Sequence, residues 1–311
     1  MVGFDIGGTK CAVITGKEEN GKITVTGKKV IPTDLSASPY EMIDKMAKAL
    51  EKLPDDGSLI GVSCGGPLDT KKGIITSPPN LPGWDDVRVK DYLLKKYKRR
   101  SRLQNDADAC AVAEWKYGAG KGARNMVFLT FGTGMGAGLI LNGKLYSGAC
   151  DMAGEVGHIR LSQKGPRGYG KSGSFEGFCS GGGIARAGVD AAEKAFKKGE
   201  KVSFCKCPED INKITAKLIA EKASAGEKDA LLIFDKCGEK LGEALSVFID
   251  VLNPELIVIG SIFARCEKLL RPSMERVIKK EALSLNAAAC RIVPAALGES
   301  IGDIAALSLS E

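Results

Sequence analysis

The chain reads as an α/β protein assembled from two related halves. Three observations carry that reading. Short apolar, strand-like runs alternate with helix-patterned stretches along the chain, as expected of strands covered by helices. One theme, an apolar strand broken by a glycine turn and resumed as a second strand, occurs at residues 2–14 and again at residues 126–141. Glycine is abundant, at 39 of 311 residues, and aromatic residues are few, at 6%, which suits a backbone with many close turns.

In the first hairpin, Val2-Gly3-Phe4-Asp5-Ile6 is interrupted by Gly7-Gly8-Thr9-Lys10 and resumed by Cys11-Ala12-Val13-Ile14. Adjacent glycines permit positive φ and close approach of a ligand to the backbone. Bare N–H groups and the Thr9 hydroxyl can cradle a phosphate there. Asp5 stands where it could hold a metal ion or a metal-bound water. Glu19-Asn20-Gly21-Lys22 is a turn, followed by a strand at residues 23–25. Ser38 and Pro39 open a helix whose apolar residues Met42, Ile43, Met46 and Leu50 share a face. The strand at residues 59–64 ends in Gly65-Gly66-Pro67-Leu68-Asp69, and a short strand at 73–76 leads into loop 77–84. The three prolines of that loop fix its backbone and present Asn80 and Trp84. A helix near residues 87–98 precedes a strand end at residues 102–106, which opens an Ala-rich helix through Tyr117.

The second half begins at Asn125. A strand at 126–131 enters Gly132-Thr133-Gly134-Met135-Gly136-Ala137-Gly138, followed by strands at 139–141 and 144–146. Residues 181–251 are mostly helical, residues 256–261 are a parallel-type strand entering a helix, and residues 291–294 and 301–307 are the last strand and helix.

Composition narrows the function. The net charge of +7 comes largely from Lys/Arg clusters at residues 95–100 and 197–201. They read as solvated helix faces and ends, so nucleic-acid binding is not expected. Ten cysteines are scattered singly apart from Cys205-Lys206-Cys207, which fits small buried residues in a reducing compartment better than a disulfide framework. No run approaches the roughly 18–20 apolar residues of a membrane helix. A cytoplasmic protein with no membrane partner is expected.

The turn Gly132-x-Gly134-x-x-Ala137 also fits a dinucleotide fingerprint, but that motif requires a helix next, and here a strand and hairpin follow. An NAD-dependent dehydrogenase is therefore disfavoured. Two strand–glycine–strand hairpins better suit a cleft gripping the phosphates of one nucleotide from both sides. Asn105-Asp106 lies at a strand's C-terminal end, opening a helix. A carboxylate there could take the proton of an attacking hydroxyl in phosphoryl transfer, or Asp106 or Asp108 could simply cap the helix. His158, the one histidine, follows Glu155 by three in a glycine-rich stretch. With Asn80 and Asp106, these side chains could bond several hydroxyls of a sugar.

Taken together and in order, these motifs resemble those of the ROK family of sugar kinases, in the actin-like ATPase and hexokinase superfamily, over essentially the whole chain. Residues 4–10 are similar to its first phosphate motif, Gly65-Gly66-Pro67-Leu68-Asp69 to its G-P-x-D turn and residues 77–84 to its sugar-contacting loop. Asn105-Asp106 matches its N-D pair, residues 132–138 its second phosphate motif and Gly154-Glu155-Val156-Gly157-His158 its G-E-x-G-H motif. Asn253-Pro254-Glu255 with residues 257–260 resembles its segment beside the adenosine. The resemblance implies two actin-like (ribonuclease H-like) α/β domains, residues 1–115 with 296–311 and residues 116–295, and a catalytic cleft between them.

It further implies ATP-dependent phosphorylation of a hexose. Asp106 is the base, and Asn80, Asn105, Glu155, His158, Glu176 and Gly66 are sugar contacts. Asp5, Gly7, Gly8, Thr9, Lys10, Thr133, Gly134 and Gly260 lie on the nucleotide, with Mg²⁺ on Asp5 through water. A homodimer is implied as well. Glucose at O6 is the favoured substrate, with N-acetylmannosamine, N-acetylglucosamine and fructose as alternatives. A non-catalytic sugar-binding regulator is the rival reading. The family's transcriptional repressors carry a DNA-binding domain ahead of the first motif, and with four residues before Asp5 none is expected here.

The sequence departs from the family at one place. Where the pattern reads C-x-C-G-x-x-G-C-x-E, this chain has Arg167, Tyr169 and Ser174 in place of the three cysteines, while both glycines and Glu176 remain. No zinc is expected there, since none of the three replaces a thiolate ligand. A relocated site from Cys179, Cys205 and Cys207 with His158 is the weaker alternative.

Overall fold

A computed structural model describes all 311 residues, which divide into two compact units. The first comprises residues 1–128, 138–154 and 296–311, and the second residues 129–137 and 155–295. The boundary expected at residue 115 falls inside helix Asp106–Tyr117. Residues 138–154 join the first unit because Gly138 packs on that helix: a Cβ there would stand 2.4 Å from the Ala111 Cβ.

The first unit is organised by a five-stranded sheet in the order Lys22–Pro32, Lys10–Glu19, Val2–Ile6, Ile60–Cys64, Ser101–Asn105. The first two pairings are antiparallel and the last two parallel. The strand expected at residues 23–25 runs for eleven residues, because Lys10–Glu19 offers a pairing partner along its length, with a bulge at Thr15/Gly16. Val2, Phe4 and Ile6 alternate onto one face, where they join Met42, Ile43 and Met46 of helix Pro39–Leu50 and Val89 and Leu93 of helix Val89–Tyr97. Ser38 and Glu41 form a reciprocal capping box that starts the first of these helices. The opposite face receives helices Asp106–Tyr117 and Ile301–Ser308. Gly61 is glycine because a Cβ there would stand 2.1 Å from the Ala306 carbonyl oxygen.

The parallel register matters for chemistry. Asp5 pairs with Ser63, Ile6 with Cys64, and Cys64 with Asn105. Asp5 and Asn105-Asp106 thus emerge at the same carboxyl edge of the sheet, on strands separated by Ile60–Cys64, where α/β folds place their ligands.

In the second unit, Leu256–Ile259 and Arg291–Pro294 pair in parallel, and Gly181–Phe196, Lys228–Leu252 and Ile262–Glu281 are the long helices. Phe175 packs edge-on to Phe248 of the longest of them, with centroids 6.1 Å apart. Arg167–Gly168 and Lys171–Ser172 form a small antiparallel ribbon. No helix of the chain is long and apolar enough to cross a membrane.

Candidate active site

Within the first unit, the turn after Val2–Ile6 is held by bonds from Gly7 N–H to the Lys10 carbonyl at 3.2 Å and from Thr33 Oγ1 to the Gly7 carbonyl at 2.6 Å. Neither Gly7 nor Gly8 adopts positive φ, so the reason for glycine is space rather than conformation. A Cβ on Gly8 would lie 2.2 Å from the Asn80 carbonyl oxygen. The first phosphate turn and the loop carrying Asn80 are therefore packed against each other. Thr9, Lys10 and Asn80 are exposed. Trp84 is buried at 2% exposure, so loop 77–84 presents Asn80 while Trp84 anchors it in the core.

The helix at Asp106–Tyr117 is capped by neither of the aspartates expected to compete for that role. Asn105 is the N-cap, its Oδ1 accepting from Ala107 N–H at 2.9 Å and Asp108 N–H at 3.4 Å. Its Nδ2 is directed toward Gly66, whose added Cβ would meet it at 3.2 Å. One Asp106 carboxylate oxygen accepts from Ala107 N–H at 2.8 Å. Asp106 reaches solvent, yet protein crowds its carboxyl enough that desolvation raises its pKa above the ordinary carboxylate value. Asp5, half-buried, is pushed up to about 6, by burial first and then by the charges of Asp106 and Asp303. Lys28, paired with Asp303 at 2.7 Å, and Lys10 oppose that shift.

These carboxylates supply hard oxygen donors in a local excess of negative charge, a donor set that fits a divalent cation such as Mg²⁺. Nowhere in the chain, here included, do three His, Cys, Asp or Glu side chains gather as a metal cage.

Within the second unit, the turn at residues 132–136 is closed by Gly132 N–H to the Gly134 carbonyl and Thr130 N–H to the Gly136 carbonyl, both at 3.0 Å. Gly132 and Thr133 line a cavity of about 370 Å³ with Gly181, Gly182, Thr215, Lys217, Ile262 and Arg265. Gly181 N–H donates to the Gly132 carbonyl at 2.8 Å, which ties the turn to the start of helix Gly181–Phe196. Ser180 caps that helix through Gly183 N–H at 3.0 Å. A helix N-terminus, a glycine turn and two cationic side chains around one cavity can receive a polyphosphate. Sequence reasoning missed the contribution of residues 181–182. The signal was there: Ser180 followed by three glycines at a helix start. Gly260 is buried and donates its N–H to the Leu129 carbonyl at 2.9 Å, and the cavity is lined by its downstream neighbours instead.

Glu155 and His158 flank the 3₁₀ turn Val156–His158, both exposed, while Glu176 is half-buried in helix Phe175–Phe178. The segment where the family pattern has cysteines is held by other means. Buried Ser174 caps the short helix through Gly177 N–H at 3.1 Å and donates to the Gly168 carbonyl at 3.4 Å. Lys171 Nζ donates to the His158 carbonyl at 2.6 Å, and the Tyr169 ring meets the His158 ring edge-on with centroids 6.3 Å apart. Cys179 contacts Cys237, with Sγ atoms 3.9 Å apart, whereas Cys205 donates to the Cys207 carbonyl and Cys207 to Asp210. The three cysteines of the alternative metal site are thus committed to different partners.

A family model described as the ROK family matches residues 1–311. A glucokinase of Thermotoga maritima is 31% identical over 283 residues, covering 89% of this chain and 87% of that protein. A xylose repressor of Caldicellulosiruptor bescii is 27% identical over 78% of this chain and 59% of its own length. A crystal structure of a ROK family glucokinase from Streptomyces griseus in complex with glucose and AMPPNP superposes with a TM-score of 0.77 at 25% identity, covering 98% of this chain and 97% of that one. The fold is that of these actin-like proteins.

Proposed function

The chain belongs to the ROK family, and on that footing we propose that it is an ATP-dependent hexose kinase acting on glucose at O6. The observation that carries this reading is the placement of Asp106. Its carboxylate stands at the carboxyl edge of a parallel strand, open to solvent, with a raised pKa and with Asp5 close enough to feel its charge. A carboxylate shifted toward neutrality is a better general base than an ordinary one.

Asp106 accepts the proton of the attacking hydroxyl. Asn105, whose Oδ1 is spent on the cap, keeps Nδ2 to donate to a sugar oxygen. Asn80, Gly66, Glu155, His158 and Glu176 supply further polar groups for sugar hydroxyls, each of which rejects an analogue lacking its partner. The turns at Gly7-Gly8-Thr9-Lys10 and Thr133-Gly134, with Gly260 behind the second and the cavity of the second unit, take ATP. Mg²⁺ would be held by Asp5 through water and would supply charge neutralisation at the phosphates.

Coupled ADP release over a sugar panel tests the reading, with turnover on glucose expected. Turnover confined to N-acetylmannosamine, N-acetylglucosamine or fructose would reassign the substrate. Sugar binding with no ADP release would favour the regulator reading, which the likeness to a repressor keeps in play. Asp106→Asn is expected to fold and bind sugar while losing about 10²–10⁴-fold in kcat. Wild-type kcat in that variant would sink the assignment of the base.

A further inference from the structure

Within the second unit, Glu176 lies where several glycine-rich segments cross. Ser174 caps the short helix Phe175–Phe178 and thereby sets Glu176 in its first turn. Oε2 of Glu176 accepts from Met135 N–H at 3.1 Å. Gly134 makes room for its carboxylate, and two further glycines keep the surrounding backbone close. A Cβ on Gly134 would stand 2.8 Å from Oε2, one on Gly157 would meet the Met135 carbonyl oxygen at 2.2 Å before the Glu176 Cβ at 3.3 Å, and one on Gly168 would meet Gly177 N at 2.6 Å before the Glu176 Cβ at 2.9 Å. Met135 is the direct continuation of Gly132-Thr133-Gly134, and Gly132 and Thr133 line the cavity described above. One carboxylate thus touches the loop that faces the nucleotide cavity.

We infer that Glu176 is a positioning residue that couples sugar affinity to nucleotide affinity through the Met135 amide. The inference rests on the reading of Glu176 as a sugar contact. A carboxylate drawn toward a sugar hydroxyl pulls on, or releases, the Met135 N–H, and the loop at residues 132–136 follows. By linkage the effect is reciprocal: a loop held by nucleotide presents Glu176 to sugar in a fixed position. Gly134 isolates the coupling. Its backbone needs no positive φ, so alanine adds no conformational strain. Besides the Glu176 carboxylate, the added methyl meets no atom within van der Waals distance.

The test uses the full chain, glucose or whichever panel sugar turns over, calorimetric sugar Kd with and without AMPPNP, and steady-state KM for ATP. Thermal melting checks folding. Glu176→Gln keeps an oxygen for the Met135 amide, so it should weaken sugar binding about tenfold with KM for ATP within about twofold of wild type. Glu176→Ala should raise both sugar Kd and KM for ATP, each by about fivefold or more. Gly134→Ala, a loop substitution, should raise sugar Kd about fivefold even without nucleotide. A Glu176→Ala variant with unchanged KM for ATP, or a Gly134→Ala variant with unchanged sugar Kd, overturns the coupling. If neither Glu176 variant moves sugar Kd, the sugar-contact reading fails, and the coupling fails with it.

Discussion

Replacing Asp108 by asparagine tests the electrostatics of the first unit without altering a residue assigned to a ligand. Asp108 is 2% exposed. Its Oδ2 accepts from Gln104 Nε2 at 2.7 Å and from Ser147 Oγ at 3.2 Å, while Oδ1 is buried with no partner. Burial above all, with added repulsion from Asp151 and Asp106, pushes its pKa from 3.8 to about 6 against the pull of those two hydrogen bonds. The unfolded chain ionises this carboxyl near 3.8 and the folded chain near 6. Between those values the folded state holds more protons, so stability falls as pH rises, and the full penalty is present above about 6. The gap of about 2.2 pK units amounts to ~3 kcal/mol. Asparagine removes the charge but leaves an amide donor where Oδ1 has no partner, which costs ~1–2 kcal/mol. The net expectation is ~1–2 kcal/mol of stabilisation at pH 8 and a loss of similar size at pH 4. For 311 residues the unfolding entropy is roughly 0.65 kcal/mol/K, so Tm should rise by about 2–3 °C at pH 8. Differential scanning calorimetry of both proteins from pH 4 to 8 is the assay. A variant less stable than wild type at pH 8, or a difference that does not change with pH, would refute the reasoning.

Asp303→Asn removes one charge that raises the Asp5 pKa and releases Lys28 from its ion pair, so Asp5 should ionise at lower pH. The acid limb of kcat/KM for Mg·ATP, read by coupled assay, should then move down by about half a pH unit. A limb that stays or moves up counts against Asp5 on the metal side. Gly61→Ala drives a methyl into the Ala306 carbonyl in the core and should cost ~2–4 kcal/mol in urea unfolding, with activity per folded molecule retained. Gly8→Ala meets the Asn80 carbonyl just as closely but at the proposed site, so its main loss should be activity, about a hundredfold.

Much of the first unit was legible in the sequence because its signals are local. The alternation of Val2, Phe4 and Ile6, the Ser38 cap with Pro39, and Asn105-Asp106 at a strand end each report a single element, and each stands where its pattern places it. What remained hidden depended on neighbours distant in sequence. Lys22–Pro32 extends far beyond its apolar core of residues 23–25 because an adjacent strand accepts it. Trp84, read as displayed by its loop, is buried because apolar burial outweighs whatever a proline-rich loop could present.

The candidate site divides in the same way. Asp5, Gly8 and Asp106 stand out in the sequence as residue types at punctuated positions, and for Gly8 the structure gives a reason different from the one expected. Gly8 is glycine because the Asn80 carbonyl occupies the space a Cβ would need, a fact of packing that no dihedral preference encodes. Asn105 supplies the N-cap that either aspartate could have filled, which leaves Asp106 only its bond from Ala107 N–H at the helix start. The cavity of the second unit was the hardest to see, since its lining comes from residues 132–133, 181–182, 214–217, 262 and 265 and closes only when those segments fold together. Ser180-Gly181-Gly182-Gly183 was its one local trace. Glycine is a poor helix former, so three at a helix start signal backbone that must remain approachable there, at the end where N–H groups point outward. Two of the first three amides there are already spent, Gly181 N–H on the Gly132 carbonyl and Gly183 N–H on Ser180 Oγ, so what the second unit offers a phosphate is the Gly182 N–H beside the turn at residues 132–136, with Lys217 and Arg265 across the same cavity.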